Sequence, residues 1–337
     1  LFRRYGSAFK SEYTEHYRAR VAVHDIDRME ALDGSGGISM SLYRPLEAPS
    51  DELRFKLFRY EKPVSLSEAL PMLENMGLTV SSEHPSCIVP EGDVPVWMHD
   101  FSMLHGEGPD LDLDRIRDLF QEAFSRVWHG AIENDGFNRL TLRAQLAWRE
   151  VVILRACSKY LRQTGFRFSH EYMERALAGN PKIARTLIAL FHARFCPQDA
   201  DGNRAQALEA QILTALDDVS NLDEDRILRS FLSLILATMR TNFYQCAEHG
   251  GPKSYLAFKF DPEKVPDLPD PRPMYEIFVY SPRVEGIHLR GGSVSRGGVR
   301  WSDRQEDFRT EVLGLVKAQM VKNAVIVPVG SKGGFVP

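Results

Sequence analysis

Four cations set among glycines near the C-terminal end carry the chemistry this sequence offers. Residues 291–337 read GGSVSRGGVRWSDRQEDFRTEVLGLVKAQMVKNAVIVPVGSKGGFVP, where Arg296-Gly297-Gly298 and Lys332-Gly333-Gly334 bracket a helix-spaced stretch ending on Lys322. Glycine lets the backbone turn tightly or approach a ligand closely. A cation beside such a turn points to an anionic or carbonyl-bearing molecule. A lysine in a dry pocket beside a second cation has two reasons for a lowered pKa, desolvation and like-charge repulsion. Such a lysine can act as acid or base near neutral pH. A planar, always-charged arginine suits a carboxylate. Singly, each cation is an ordinary solvated side chain. As an ordered set, Arg296, Arg300, Lys322 and Lys332 predict a dicarboxylate or amino-acid substrate held by two or three positive groups. His105 and His288 have no partners at metal-ligand spacing, so both read as structural and no metal is expected.

These residues need elements to position them. Ser302 to Gln305 has the pattern of a capping box, and Phe308, Val312, Leu315, Val316 and Met320 form an apolar stripe for packing on a sheet. Ala324 to Val329 is a mostly β-branched run that predicts a buried strand. Lys322 then falls at a helix–strand junction and Lys332 in the loop after the strand, where open α/β sheets collect ligands. Neither glycine cluster spells a P-loop or the G-x-G-x-x-G dinucleotide fingerprint.

Composition sets the wider bounds. A chain of 337 residues, 43% hydrophobic and 26% charged, has room for two or three domains. The net charge of −4 gives no reason to expect nucleic acid. Residues 290–337 hold eight Lys/Arg against four Asp/Glu, a local basic excess that suits a small anion. Cys87, Cys157, Cys196 and Cys246 show no metal or redox spacing and read as reduced thiols of a cytoplasmic protein. No signal peptide or membrane-length apolar run is present in the sequence. The chain opens on Leu1 without methionine and stops at Pro337 inside a motif, so a piece of a longer protein is expected.

Along the chain, residues 1–52 predict short helices, a turn at Asp33–Gly37 and a strand at Ile38–Tyr43. Residues 53–130 run strand, helix, strand, strand, helix. Ser65 and Glu68 offer a capping box, Gly77 a stop, and Asp112 or Asp114 the cap of a strongly amphipathic helix. That order is most of a ferredoxin-like βαββα unit and resembles ACT-type regulatory domains. Residues 131–250 predict a helical domain: Thr141 to Gln163, a helix after Asn180-Pro181, 204–216 and 222–243. Asp199 to Asn203 resembles a calcium loop, but its glycine falls two positions early and Ala210 stands where a bidentate glutamate belongs. A helix-linking turn is expected there. Residues 251–337 begin a further α/β domain. The fold class is therefore a multidomain mixture of α+β and α/β.

The runs Arg296-Gly-Gly-Val-Arg300, Met320-Val-Lys322-Asn-Ala324 and Pro328-Val-Gly-Ser-Lys332-Gly-Gly334 resemble the glutamate dehydrogenase signature. The wording HLRGGSVSRGGVRWSDR followed by QMVKNAVIVPVGSKGGF is similar to the large bacterial NAD-specific class. The specific match covers 274–337. The resemblance implies oxidative deamination of L-glutamate to 2-oxoglutarate and ammonia, with NAD bound by a domain absent from this chain. Lys332 matches the catalytic lysine that activates water, and Lys322 the lysine holding the α-carboxylate. Arg296 stands where many members have a substrate-binding lysine, and Arg300 matches the arginine after Gly-Gly. The loop before Lys332 has one glycine fewer than the classical form. The Lys322–Lys332 interval is two residues shorter and the Arg300–Lys322 interval two longer, so Lys332 keeps its place relative to Arg300. The family further implies a homo-oligomer and an amino-acid effector. The alternative reading is a non-catalytic amino-acid-sensing or assembly module, with residues 53–130 as the binding part.

Overall fold

The computed structural model describes residues 2–32, 37–45, 48–106, 111–248, 250–293, 295–322 and 330–337. The strand predicted at 324–329, the turn at 33–36 and the side chains of 320–322 lie outside the described residues. The chain is a mixed α/β structure with two sheets, divided into two compact units. The first holds residues 1–129 and 134–148, the second 130–133 and 149–337.

In the first unit, helices α1 (Phe2–Tyr5), α2 (Ser11–His16) and α3 (Ala19–Glu30) lead into β1 (Ile38–Tyr43) and β2 (Glu52–Tyr60). Then follow α4 (Leu66–Asn75), β3 (Thr79–Ile88), β4 (Val96–Leu104), α5 (Leu113–Trp128) and the single turn α6 (Leu140–Arg143). The sheet order is β1-β2-β4-β3 with every neighbouring pair antiparallel. Strands β2 and β3 thus run the same way with β4 between them, and α4 makes the crossover. The alternation of β2 sorts its residues between two covers, as the period of two demands. Leu53, Phe55 and Leu57 are buried, and the Phe55 ring lies 5.3 Å from Phe120 and 4.9 Å from Phe124 of α5. On the opposite face Phe58, Ile88, Val96 and Met98 pack with Tyr5, Tyr13 and Met29 of the first three helices. Asp112 caps α5 by accepting from the Arg115 N–H. Ser65 precedes α4 without capping it through its side chain, and its hydroxyl instead bonds the Ser67 hydroxyl at 2.7 Å. Gly77, at φ +87°, supplies the left-handed turn after α4.

The second unit holds α7 (Trp148–Gln163), α8 (His170–Gly179), α9 (Pro181–Phe195), α10 (Gly202–Asp217), α11 (Leu222–Ala237) and α12 (Phe308–Lys322). Its strands are β5 (Thr238–Thr241), β6 (Leu256–Phe260), β7 (Tyr275–Ser281), β8 (Val284–Arg290), β9 (Val299–Trp301) and β10 (Ser331–Val336). They form one sheet in the order β5-β6-β7-β8-β10-β9, antiparallel except for the β10–β9 pair. Aromatic rings join the helices to one face: Tyr160 lies 4.5 Å from Phe260 and 5.5 Å from Phe278, and Phe191 lies 5.6 Å from Phe243.

Three helix boundaries differ from expectation, each for a local reason. The helix predicted from Thr141 to Gln163 is broken because Gln145 takes φ +52°, and α7 starts only at Trp148. The helix predicted to reach 243 stops at Ala237, where the Thr238 hydroxyl donates to the Leu234 carbonyl at 2.8 Å and the chain continues as β5. Ser302 does not cap α12. Its hydroxyl donates to Glu311 at 2.6 Å and accepts from the Arg304 N–H, and the helix begins at Phe308. The calcium-like stretch is a cap: Asp201 accepts from the Asn203 and Arg204 N–H groups to open α10.

Candidate functional site

The glycines and cations of the C-terminal stretch meet around the start of β10. Arg296 forms a parallel bridge with Gly330. The Ser331 N–H donates to the Arg296 carbonyl at 3.2 Å, the Gly291 N–H to Gly330 at 3.0 Å, and the Gly333 N–H to Gly298 at 3.0 Å. The end of β8, the approach to β9 and the start of β10 are thereby tied together. Lys332 lies in β10 itself, opposite Leu289 of β8, and not in a loop after a strand as expected. The strand forms because Gly333 and Gly334 extend between two neighbours that both supply ladder hydrogen bonds.

The glycines serve packing of the backbone on itself. A Cβ at Gly297 would lie 1.2 Å from the Ser331 carbonyl oxygen. One at Gly334 would lie 2.6 Å from Val312 Cγ2 of α12, and one at Gly330 would lie 3.3 Å from Gln319. Alternation puts Lys332 on the same face as Gly330 and Gly334, the face that α12 covers. Lys332 is half-buried there.

The cations differ in how they are held. Arg300 pairs with Glu311 of α12 at 3.2 Å and is already neutralised. Among the described residues no carboxylate pairs with Arg296 or Lys332, and Arg296 is exposed. Lys322 is the last residue of α12, and its side chain lies outside the described residues. The structure thus brings Arg296 and Lys332 to one sheet end and engages Arg300 elsewhere.

Two supports complete the site, of which the first escaped the sequence reading and the second was expected only as a structural histidine. Gln319, three residues before Lys322 on α12, donates through Nε2 to the Arg296 carbonyl. The three-residue spacing of Gln319 and Lys322 in the sequence was the available signal. The second support is His288, whose Nε2 lies 2.8 Å from the Ser331 hydroxyl. Burial, reinforced by the charge of Arg290, pushes its pKa down, so the ring is neutral at neutral pH. No spacing pattern announces a pair that only strand register brings together.

The helix over the site is anchored at its first turn. Arg309 binds Glu276 of β7 through two bonds, Nε–Oε1 at 2.6 Å and Nη2–Oε2 at 2.9 Å, with both side chains 0% exposed. The Arg309 N–H donates to Gln163 Oε1 of α7 at 3.2 Å, and Gln163 Nε2 donates to the Gln305 carbonyl at 2.9 Å. Burial alone would lower the Arg309 pKa, but the Glu276 bonds and charge outweigh it and hold the guanidinium above its ordinary value. Nearby, Lys159 sits 3.0 Å from Glu133 and 3.4 Å from Glu285.

Residues 211–337 match the family model for the catalytic domain of bacterial NAD-glutamate dehydrogenase. Residues 132–197 match helical motif 3 of glutamate dehydrogenase, 37–116 its ACT3 domain and 1–32 its helical motif 2. The NAD-specific glutamate dehydrogenase of Halomonas elongata is 50% identical over 337 residues, all of this chain and 21% of that protein. Those of Pseudomonas aeruginosa and Mycobacterium tuberculosis are 50% and 44% identical over 98% of the chain, again 21% of each relative. The chain therefore spans about a fifth of the length of these relatives. Among the described residues no helix is long and apolar enough to cross a membrane. With successive matches to domains of one enzyme along its length, the chain belongs to the bacterial NAD-glutamate dehydrogenase family.

Proposed function

We propose that the chain is part of an NAD-dependent glutamate dehydrogenase that oxidatively deaminates L-glutamate to 2-oxoglutarate and ammonia, and that it carries half of the substrate site. The observation that carries the reading is the pair of cations without carboxylate partners among the described residues, Arg296 and Lys332, at one sheet end beside the end of α12. A substrate with two carboxylates supplies the missing anions. Lys332 is the catalytic lysine. Its amine, held on the helix-covered face of β10, donates to the substrate and orders the water that attacks the carbon losing nitrogen. Lys322 holds the α-carboxylate, and Arg296 makes a further carboxylate contact.

NAD serves as hydride acceptor, held by residues outside this stretch. The glycines here give no pyrophosphate cradle: Gly297 is pressed on Ser331, and Gly333-Gly334 lies within a strand. We further infer that β2-α4-β3-β4-α5 is an ACT-type, ferredoxin-like unit, followed by a helical region and the start of the substrate-binding α/β domain. The match of 37–116 and the antiparallel order with β4 between β2 and β3 support this.

Steady-state kinetics of the full-length enzyme tests the site. Arg296→Gln is expected to raise KM for glutamate roughly 10- to 100-fold, the loss of one charge-assisted hydrogen bond. Arg300→Gln should change it by less than about threefold, because Glu311 already holds that guanidinium. Equal effects, or the reverse order, would remove the site as drawn.

A further inference from the structure

One polar contact of the second sheet lies on the face opposite Lys332. Register sets Gly333 of β10 against His288 of β8 and Ser331 against Arg290, so His288 and Ser331 are diagonal neighbours on one face. Lys332, between Ser331 and Gly333, turns to the other face. His288 Nε2 stands 2.8 Å from the Ser331 hydroxyl. The ring has room because Gly333 carries no side chain: a Cβ there would lie 3.3 Å from His288 Cδ2 and 3.0 Å from Val299 Cγ2.

Ser331 is the link between two cations of the site. It is 6% exposed, and its N–H donates to the Arg296 carbonyl at 3.2 Å. Its carbonyl oxygen closes on Gly297, where a Cβ would come within 1.2 Å, and the same carbonyl belongs to the peptide that begins Lys332. Rotating Ser331 therefore moves Arg296 against Lys332. Main-chain contacts hold its two ends, and the hydroxyl bond adds a hold from β8 that neither cation supplies. A charged ring here would add a further positive group to the set. Burial and the charge of Arg290 push the His288 pKa down, so the neutral ring can hold Ser331 without repelling the cations. Arg290 turns its own Nε to the Gly292 carbonyl at 2.9 Å.

We propose that His288 is a positioning residue: through the Ser331 hydroxyl it sets the placement of Lys332 relative to Arg296. Its ring lies on the face away from Lys332 and takes no part in the chemistry itself. The inference rests on the reading of Arg296 and Lys332 as substrate groups, and adds the residue that spaces them.

The test is steady-state kinetics of the full-length enzyme, with hydrogen exchange of β8, β9 and β10 measured in parallel. His288→Leu and Ser331→Ala are each expected to lower kcat by roughly 3- to 10-fold, the loss of one buried hydrogen bond. KM for glutamate should stay within about twofold, because the main-chain bond from Ser331 to Arg296 survives both changes. The double variant should match the singles rather than multiply them, since both remove the same contact. His288→Gln keeps a polar group within reach of Ser331 and should restore kcat to within about twofold of the parent. If His288→Leu fails to fold, Ser331→Ala and His288→Gln decide. Three results would each overturn the proposal: both singles keep the parent kcat, the double multiplies their effects, or His288→Gln falls as far as His288→Leu. Lys332→Ala separates this inference from the catalytic reading. Where Lys332 does the chemistry, adding His288→Leu to Lys332→Ala changes turnover no further. Where Lys332→Ala retains turnover, that reading fails, and exchange of the Ser331 and Gly333 amides still judges the positioning: faster exchange in His288→Leu supports it and unchanged exchange overturns it.

Discussion

Replacing Arg309 with methionine probes the anchor of α12. The substitution keeps the length of the side chain and removes its charge. It leaves the Glu276 carboxyl group at 0% exposure with two hydrogen bonds lost, at 2.6 and 2.9 Å. Breaking one side of a fully buried pair costs about 3–5 kcal/mol, because the surviving charge is stranded in a low-dielectric interior. The Arg309 N–H to Gln163 bond is a main-chain bond and survives the change. The double variant Arg309→Met/Glu276→Leu removes both charges and is expected to lie within about 1 kcal/mol of the parent, or above it. Because the chain holds two units, one overall unfolding midpoint does not report this region. Hydrogen exchange of β7 and α12 amides under increasing urea reads the local opening free energy directly. The reasoning is refuted if the single variant costs less than about 1 kcal/mol, or if the double variant costs the sum of the singles.

Other outcomes follow from the same contacts. Burial raises the Glu285 pKa above the ordinary 4.5 despite Lys159 at 3.4 Å. A carboxyl whose folded pKa is raised contributes stability below its unfolded pKa and loses it as pH rises through the folded value. Glu285→Gln should therefore flatten the fall in second-unit stability on raising pH from about 4.5, and an unchanged slope would be contrary evidence. The Cys157 thiol is fully buried and pushed up to about 12, whereas Cys246 is exposed. A thiol reagent at neutral pH should label Cys246 in the native protein and Cys157 only on unfolding. Gly297→Ala places a methyl carbon 1.2 Å from a backbone oxygen and should separate β9 from β10, detected as lost amide protection at Gly333.

Much of this was legible before any coordinates. Alternation at Leu53, Phe55 and Leu57, the helical stripe from Ile116 to Val127 and the cap at Asp112 each rest on local periodicity, and each element stands in the structure. The sequence reading failed where a single residue or a distant strand decides. Gln145 breaks a helix through one positive φ, and the strand at Lys332 exists only because β8 and β9 pair on either side of it. The glycine clusters predict room for a ligand, whereas Gly297 is pressed on Ser331 and Gly334 on Val312. The Arg309–Glu276 pair joins residues 33 positions apart, which no periodicity reveals.

The central claim, that Lys332 performs the chemistry, is tested most directly by Lys332→Ala in the full-length enzyme. Glutamate-dependent NAD reduction is followed alongside hydrogen exchange of β8, β9 and β10. The account predicts turnover reduced by about 10²-fold or more, typical of losing a positioned acid–base group, with exchange protection of the three strands unchanged. Near-normal turnover in a variant with intact strands would contradict it.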